Sequence, residues 1–595
     1  MYSKLIHWAA IHKTFVAATI LFFVAFGVYA NNLNNQLFWD DLDWISNNPR
    51  VHEFSAGNTK SWLTENTLAG IGLKSNYYRP FLFATFTANY VVHQDKPFGY
   101  HLVNNLLHAG NAVLVFILLF FALKKRWPAF LVALLFAVHP LQTEAITYIA
   151  GRGDPLNVFW MLVSLLAVRK LYEQSDKKIR WYIISGITVV LAILSRETAI
   201  IFPFLAMVYA VAFLENGRFW QSIRGAFIKM LPYFVVVFIY GILRLTALNF
   251  ENTLNFYAVS NPYTENFFVR MYTFMGILLS YAKLLILPLG QHMERGATVF
   301  LNPWYWQVLI PVLVLVAILW VTRKLYKKSW DSRTPTSPAG EPAMSNVLVF
   351  AFGWFFINLG PTSGITPINA LMYEHWLYLA MVGPFTALMV LGDRLILNQF
   401  ARKTAVCIVI VLAIFGGWLS VKRNTLWGNP IAFFEDILLY EPNSARVNNN
   451  LANHYASIGN LPKAEEHYWK AVESNDSFPQ PYFNLGTLLM ERNDVRGAIE
   501  VFEKAIKADS YFPNAYDRLS VIYASQGNLV KAREMVKKFI ELQPINPAAY
   551  YNLALIEQAT GNRADARTAI QAGLRYAPEG SEVKNAMEKL LTELK

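Results

Sequence analysis

Long apolar runs separated by short polar links restrict this chain more tightly than any other feature. They lie at 14–30, 102–123, 128–138, 156–168, 181–194, 199–214, 231–248, 268–287, 305–321, 346–359, 373–391 and 404–421. A helix that crosses hydrocarbon upright needs ~20 such residues, and several of these runs are shorter. With 55% hydrophobic and 15% charged residues, the chain lies well outside the soluble average. The pattern predicts a membrane domain of 11 to 13 helices over residues 1–425. The single cysteine, Cys407, sits inside an apolar run, which excludes a disulfide framework and a cysteine-ligated metal site.

The net charge is +12, yet from residue 445 onward 18 Lys and Arg face 18 Asp and Glu, so the excess lies wholly in the first 444 residues. Basic clusters between apolar runs mark cytoplasmic loops, whereas a nucleic-acid domain gathers them on a polar face; no nucleic-acid partner is expected. Lys124–Lys125–Arg126, Arg169 to Arg180 and the stretch 323–328 are therefore assigned to the cytoplasm. The first run follows Lys4, His12 and Lys13 and ends "VYA", the form of a signal peptide; cleaved or retained, it sends residue 31 onward across the membrane. Loops 31–100, 139–155 and 360–372 then face the opposite side. A single crossing by 268–287 would put 323–328 on the wrong face, so that segment is re-entrant or a nearby crossing is miscounted.

From residue 445 the sequence is charged and repeats every 34 residues. Leu451, Leu485, Leu519 and Leu553 hold one phase and Ala464, Ala498, Ala532 and Ala566 another, with Gly459, Asn493, Gly527 and Gly561 at the turn and Pro544 and Pro578 closing the last two units. This is the signature of tetratricopeptide repeats (TPRs), helix pairs that bury their apolar faces only against neighbours. Residues 426–595 divide into a half-repeat 427–444, repeats 445–478, 479–512, 513–546 and 547–580, and a capping helix 581–595. Such a solenoid binds extended peptides or partner helices.

Polar residues at the ends of the apolar runs are the candidates for chemistry, because an ionisable group in a membrane segment costs ~2.5–3.5 kcal/mol at the helix centre and usually lines a polar cavity. "FWDDLDWI" carries Asp40, Asp41 and Asp43; two of these carboxylates could take a proton or hold a metal ion, or could cap a helix at the membrane surface. In "YYRPF", Arg79 could grip a phosphate in fork geometry or simply snorkel to the interface. His101, Asn104, Asn105 and His108 share one helix face, which suits an interhelical hydrogen-bond seam at least as well as a substrate. "HPLQTEAITYIAGRGD" offers His139, Glu144, Arg152 and Asp154, with Gly151 and Gly153 permitting close backbone approach to a ligand; an internal ion pair accounts for Glu144 equally well. Arg196 and Glu197 in "SRET", Arg244 within its run, and Glu374 and His375 in "NALMYEHW" complete the set.

The ordered series "DD", "YRP", "H..NN..H", "HP..TEA..YI.GR.D", "SRE", "YE.W.Y" and TPRs resembles the transmembrane and TPR-containing O-mannosyltransferases, and more broadly the C-type (GT-C) glycosyltransferases that use lipid-linked sugars. The resemblance covers nearly the whole chain. It implies an all-α fold, a GT-C-like multi-span bundle followed by a TPR solenoid. It also implies a hexosyltransferase that moves a mannose-like sugar from a polyprenyl-phosphate carrier to a hydroxyl, such as a protein Ser or Thr, on the extracytoplasmic face, with inversion. Asp40 or Asp41 is then the catalytic base; Arg79, Arg152, Arg196 and Arg244 hold the lipid phosphate; His139, Glu144, Asp154, Glu197, Glu374 and His375 shape the sugar and phosphate site. Related proteins often read Glu-Arg where this chain has Glu374-His375. Four repeats favour a bacterial relative, in the inner membrane with the TPRs periplasmic; a eukaryotic one would place them in the ER lumen. The implied partners are the lipid-linked donor, membrane lipids, and an acceptor polypeptide or partner protein on the TPRs. No protein metal site is assigned, and participation of Mg or Mn is left open. Two other readings remain: an envelope oligosaccharide ligase or polymerase, and a non-catalytic membrane-anchored TPR scaffold.

Overall fold

The computed structural model describes residues 2–71, 75–215, 217–250, 260–331, 341–366, 368, 370–396, 398–475, 478–578 and 580–594. Asn369, at the start of "NALMYEHW", lies outside them. The described residues form an all-α protein of two compact units, Met1–Asn429 and Pro430–Lys595.

In the first unit nine described helices are long and apolar enough to cross a membrane: His12–Asn32, Phe98–Leu123, Ala150–Glu173, Lys178–Ser195, Phe219–Leu245, Phe267–Ile286, Trp306–Leu325, Met344–Thr362 and Gln399–Trp427. Two bent pairs, Arg126–Val138 with Pro140–Thr147 and Glu374–Ala380 with Val382–Leu395, raise the number to eleven if each is one span. The first bend, 53°, falls at Pro140, whose missing N–H interrupts the helix. Between lipid-exposed helices the attraction is close packing rather than water exclusion. Thus Gly383 lets the helix Val382–Leu395 touch Met344–Leu359 backbone to backbone; a Cβ there would lie 2.4 Å from the Ala351 carbonyl oxygen.

Polar side chains inside the bundle join in a seam. Asn32 and Asn105 exchange amide hydrogen bonds of 2.9 and 3.2 Å, Asn32 also donates to Thr147, and Thr147 donates to Asn424 at 2.6 Å. His108 meets the Tyr378 hydroxyl at 2.9 Å. The stripe 101–108 therefore serves helix association, tying the first, second and last long helices to the first bent pair.

After the helix Phe267–Ile286 the chain doubles back. The Phe300 N–H donates to Thr273 Oγ1 at 3.1 Å, and the Phe300 ring lies against Gly276. Residue 300 thus returns beside the first turns of the helix it left.

The second unit is a helical stack from Pro430–Tyr440 to Glu582–Glu593. The alanines at 464, 498, 532 and 566 are all 0% exposed, because only a methyl fits where the paired helices meet. Gly459, Asn493, Gly527 and Gly561 have φ of 77°, 61°, 75° and 82°. Each turn needs a left-handed residue, and asparagine is the side chain that tolerates it best. The next residue caps the second helix: Asn460, Asp494 and Asn528 accept from the N–H three positions on.

Candidate functional site

The two central carboxylates have different surroundings. Trp39, with φ of 59°, turns the chain directly before Asp40. Asp40 remains half-buried and accepts a 2.7 Å hydrogen bond from the Tyr148 hydroxyl. Asp41 is 2% exposed and accepts the Ala150 N–H at 2.8 Å. Burial pushes the Asp41 carboxyl up to about 8; the backbone bonds and Arg152 oppose this, and the charge of Asp40 reinforces it. Asp41 is therefore protonated near neutral pH.

Four further candidates form a relay across three loops. Arg196 pairs with Asp154, and its second terminal nitrogen meets His375 Nε2 at 3.1 Å. A guanidinium can only donate, so Nε2 accepts and Nδ1 carries the proton, which it gives to Glu144 Oε1 at 2.7 Å. The His375 N–H donates to Glu144 Oε2 at 3.0 Å. Glu144 thus takes part in an internal pair that orients the imidazole. Tyr373 stacks on His375 at 5.1 Å between ring centroids.

Arg79 completes this group. Its Nε bonds Glu197 Oε2 at 2.9 Å, the Tyr78 N–H bonds Glu197 Oε1 at 2.8 Å, and Asp154 lies within electrostatic range. The guanidinium is held against the rings of Tyr77 and Trp44, 4.6 and 5.5 Å away. Burial lowers its proton affinity, but Glu197 more than offsets this, and the net shift is upward. Among the described residues, no hydrogen bond engages its two terminal nitrogens.

Three further candidates are engaged by backbone groups or neutral side chains. Arg152 is 0% exposed and donates to Asn104 Oδ1 at 2.7 Å, to the Tyr100 carbonyl at 3.0 Å and to the Thr85 carbonyl at 3.2 Å. Its fork is filled by neutral oxygens, so it braces helices where a phosphate ligand was expected. His139 sits at the 53° bend, accepts the Leu141 N–H on Nδ1 and meets the Leu285 carbonyl through Nε2, each at 3.3 Å; it caps the restarted helix. Arg244 donates to the Leu248 carbonyl at 2.8 Å and the Asn76 carbonyl at 2.6 Å, tying down the 31–100 loop. The glycines of "AGRGD" likewise approach their own chain, since a Cβ at Gly151 would lie 3.0 Å from the Glu144 carbonyl oxygen.

Glu374 and His375 are neighbours with separate partners, because the 3-10 turn Glu374–Trp376 rotates them apart. Glu374 pairs with Arg295 and accepts the His292 N–H at 2.9 Å, with Arg423 also in electrostatic range. Arg295, His292, Arg423 and Tyr148 escaped the sequence reading. The first two lie in the polar link between the runs 268–287 and 305–321, which the criterion applied to "SRET" would have selected. Tyr148 lies inside a motif already singled out. Among the described residues, no group of three or more His, Cys, Asp or Glu is arranged to hold a metal ion.

Residues 17–261 match the dolichyl-phosphate-mannose-protein mannosyltransferase family, and residues 483–547 and 526–590 match tetratricopeptide repeats. The chain resembles the TPR-bearing protein O-mannosyltransferases. It is 25% identical to protein O-mannosyl-transferase F38B6.6 of Caenorhabditis elegans, covering 76% of this chain and 62% of that one. Mouse TMTC3 is 24% identical over 81% of this chain and 54% of its own, and human TMTC1 24% over 79% and 56%. The chain thus spans between half and two-thirds of these relatives' length. With its apolar helices, the family resemblance makes this a multi-pass membrane protein.

Proposed function

We propose that this protein is a GT-C-type hexosyltransferase that moves a mannose-like sugar from a polyprenyl-phosphate carrier to the hydroxyl of a protein Ser or Thr. The observation that carries the reading is the partly exposed Asp40, oriented by the Tyr148 hydroxyl, in the same helical unit as the nearly buried network of Arg196, Asp154, His375 and Glu144. The match of residues 17–261 supports the same chemistry. Asp40 takes the proton as the acceptor hydroxyl attacks the anomeric carbon, and the lipid phosphate leaves from the opposite face, which inverts that centre. Arg79, whose terminal nitrogens meet no acceptor among the described residues, stabilises the developing phosphate charge. Arg196, Asp154, His375 and Glu144 hold the sugar side. Asp41, protonated near neutral pH, supports the turn that presents Asp40.

The doubling back at residue 300 supports the extracytoplasmic face. If the N-terminus is cytoplasmic, the two bent pairs and the short helix Glu197–Phe213 count as crossings and 267–305 is re-entrant, all three basic clusters fall on the cytoplasmic side, which supports this reading. The site then faces outward, periplasmic in a bacterial inner membrane, and so does the TPR unit, which collects the acceptor polypeptide.

The test uses the full chain in nanodiscs with labelled polyprenyl-phosphate mannose and a Ser/Thr-rich peptide. Label appearing on the peptide is expected. Label arriving only from a nucleotide sugar, or none from either donor, contradicts the proposal.

A further inference from the structure

One short segment grips both aspartates. Tyr148 donates its hydroxyl proton to Asp40 Oδ2 at 2.7 Å, and two residues later the Ala150 N–H donates to Asp41 Oδ1 at 2.8 Å. Tyr148 joins the helical turns Thr143–Thr147 and Ala150–Arg152, so its backbone is set from both sides. Its ring is 8% exposed and packs on Trp427 at 5.7 Å between centroids; Trp427 packs on Phe38 at 5.9 Å, two residues before Asp40. The hydroxyl and the carboxylate it meets are thus fixed by one packing arrangement. Burial, reinforced by the two aspartates, holds the phenol proton well above its usual range, so the group is a donor throughout the working pH range.

Resting on the transferase reading, we infer that Tyr148 is a positioning residue for the base: its hydroxyl fixes the orientation of the Asp40 carboxylate and stabilises its ionised form, while touching no reacting atom itself. Removing such a donor loosens the carboxylate's alignment toward an acceptor hydroxyl, and misplacement by ~1 Å costs about 100-fold in rate. A donor to the ionised carboxylate also favours that form over the protonated one.

Tyr148→Phe keeps the ring on Trp427 and removes only the donor. Its kcat is expected to fall about 10- to 100-fold, with KM for the lipid donor unchanged and the acid limb of the pH–rate profile displaced to higher pH. In an Asp40→Asn background the substitution should cost nothing further. A second readout is independent of turnover: carbodiimide labelling of Asp40 against pH, followed by mass spectrometry. Its midpoint should move to higher pH in Tyr148→Phe. Unchanged kcat, or an unmoved labelling midpoint, overturns the positioning role. Absence of transfer in the parent protein with a displaced midpoint upholds the Tyr148–Asp40 coupling and counts against the transferase reading alone.

Discussion

In the TPR unit Lys470 and Lys504 pair with Glu466 and Glu500 one turn earlier on the same helix. In the membrane unit Arg196 bonds Asp154 and His375, 42 and 179 positions away, and His375 bonds Glu144, 231 positions away. The first kind of pair is exposed, local and interchangeable. The second is nearly buried and joins separate loops, so each side chain depends on several others. A solenoid places its information in a repeat and spreads its stability over neighbours; the bundle concentrates both in a few ionisable side chains that hydrocarbon would otherwise exclude.

Substitutions should separate the two regimes by size. The largest loss is expected from Arg152→Ala, which takes the donor from Asn104 Oδ1, removes the side-chain bonds to the Tyr100 and Thr85 helix carbonyls and empties a fully buried space. The membrane unit should lose about 5 kcal/mol or more, seen as a collapse of its thermal transition in detergent, with the TPR transition unmoved. A Leu485→Ala change reverses the pattern: this 0%-exposed leucine should cost ~3 kcal/mol within the solenoid and leave the membrane transition in place. If the two transitions fall together in either variant, the contrast between the units is wrong.

Third in size is a pH effect confined to the bundle. Asp41 has a folded-state pKa of about 8 against an ordinary 3.8. Between those values the folded chain holds the extra proton, so the stability from this group is complete below pH ~4 and is lost as pH rises through ~8, at no more than ~1.4 kcal/mol per unit. Asp41→Asn should flatten that slope in chemical-denaturation series. Arg533→Ala in the solenoid breaks a two-pronged pair with Glu557, both bonds 2.7 Å, and should cost ~1 kcal/mol. Lys504→Ala should leave the melting curve unmoved, because its one-turn pair lies in water.

The same contrast explains what was legible in the sequence. Ala464, Leu485 and Asn493 could be placed before any coordinates, since a period of 34 assigns each a slot in a helix pair. The apolar runs likewise announced membrane helices, whereas the conflict at 268–287 left two readings open in the sequence, and the Phe300–Thr273 contact that bears on it was not legible there. Pairings inside the bundle were not legible. Arg152 and Arg196 look alike as charged residues at run ends, yet one is sealed among neutral oxygens and the other joins the relay. Glu374 and His375 are adjacent in sequence yet take different hydrogen-bond partners. Tyr148 drew no notice because a tyrosine is neutral at working pH; its importance follows from the carboxylate it meets.

The central claim is that Asp40, and not its buried neighbour, removes the acceptor proton. Single-turnover transfer from polyprenyl-phosphate mannose should be compared in Asp40→Asn and Asp41→Asn, with donor binding measured in both. The account predicts a loss of about 100- to 10,000-fold for Asp40→Asn with donor binding intact, and less than about 10-fold for Asp41→Asn, whose amide resembles the protonated acid. The reverse ranking, or equal activity in both variants, would contradict it.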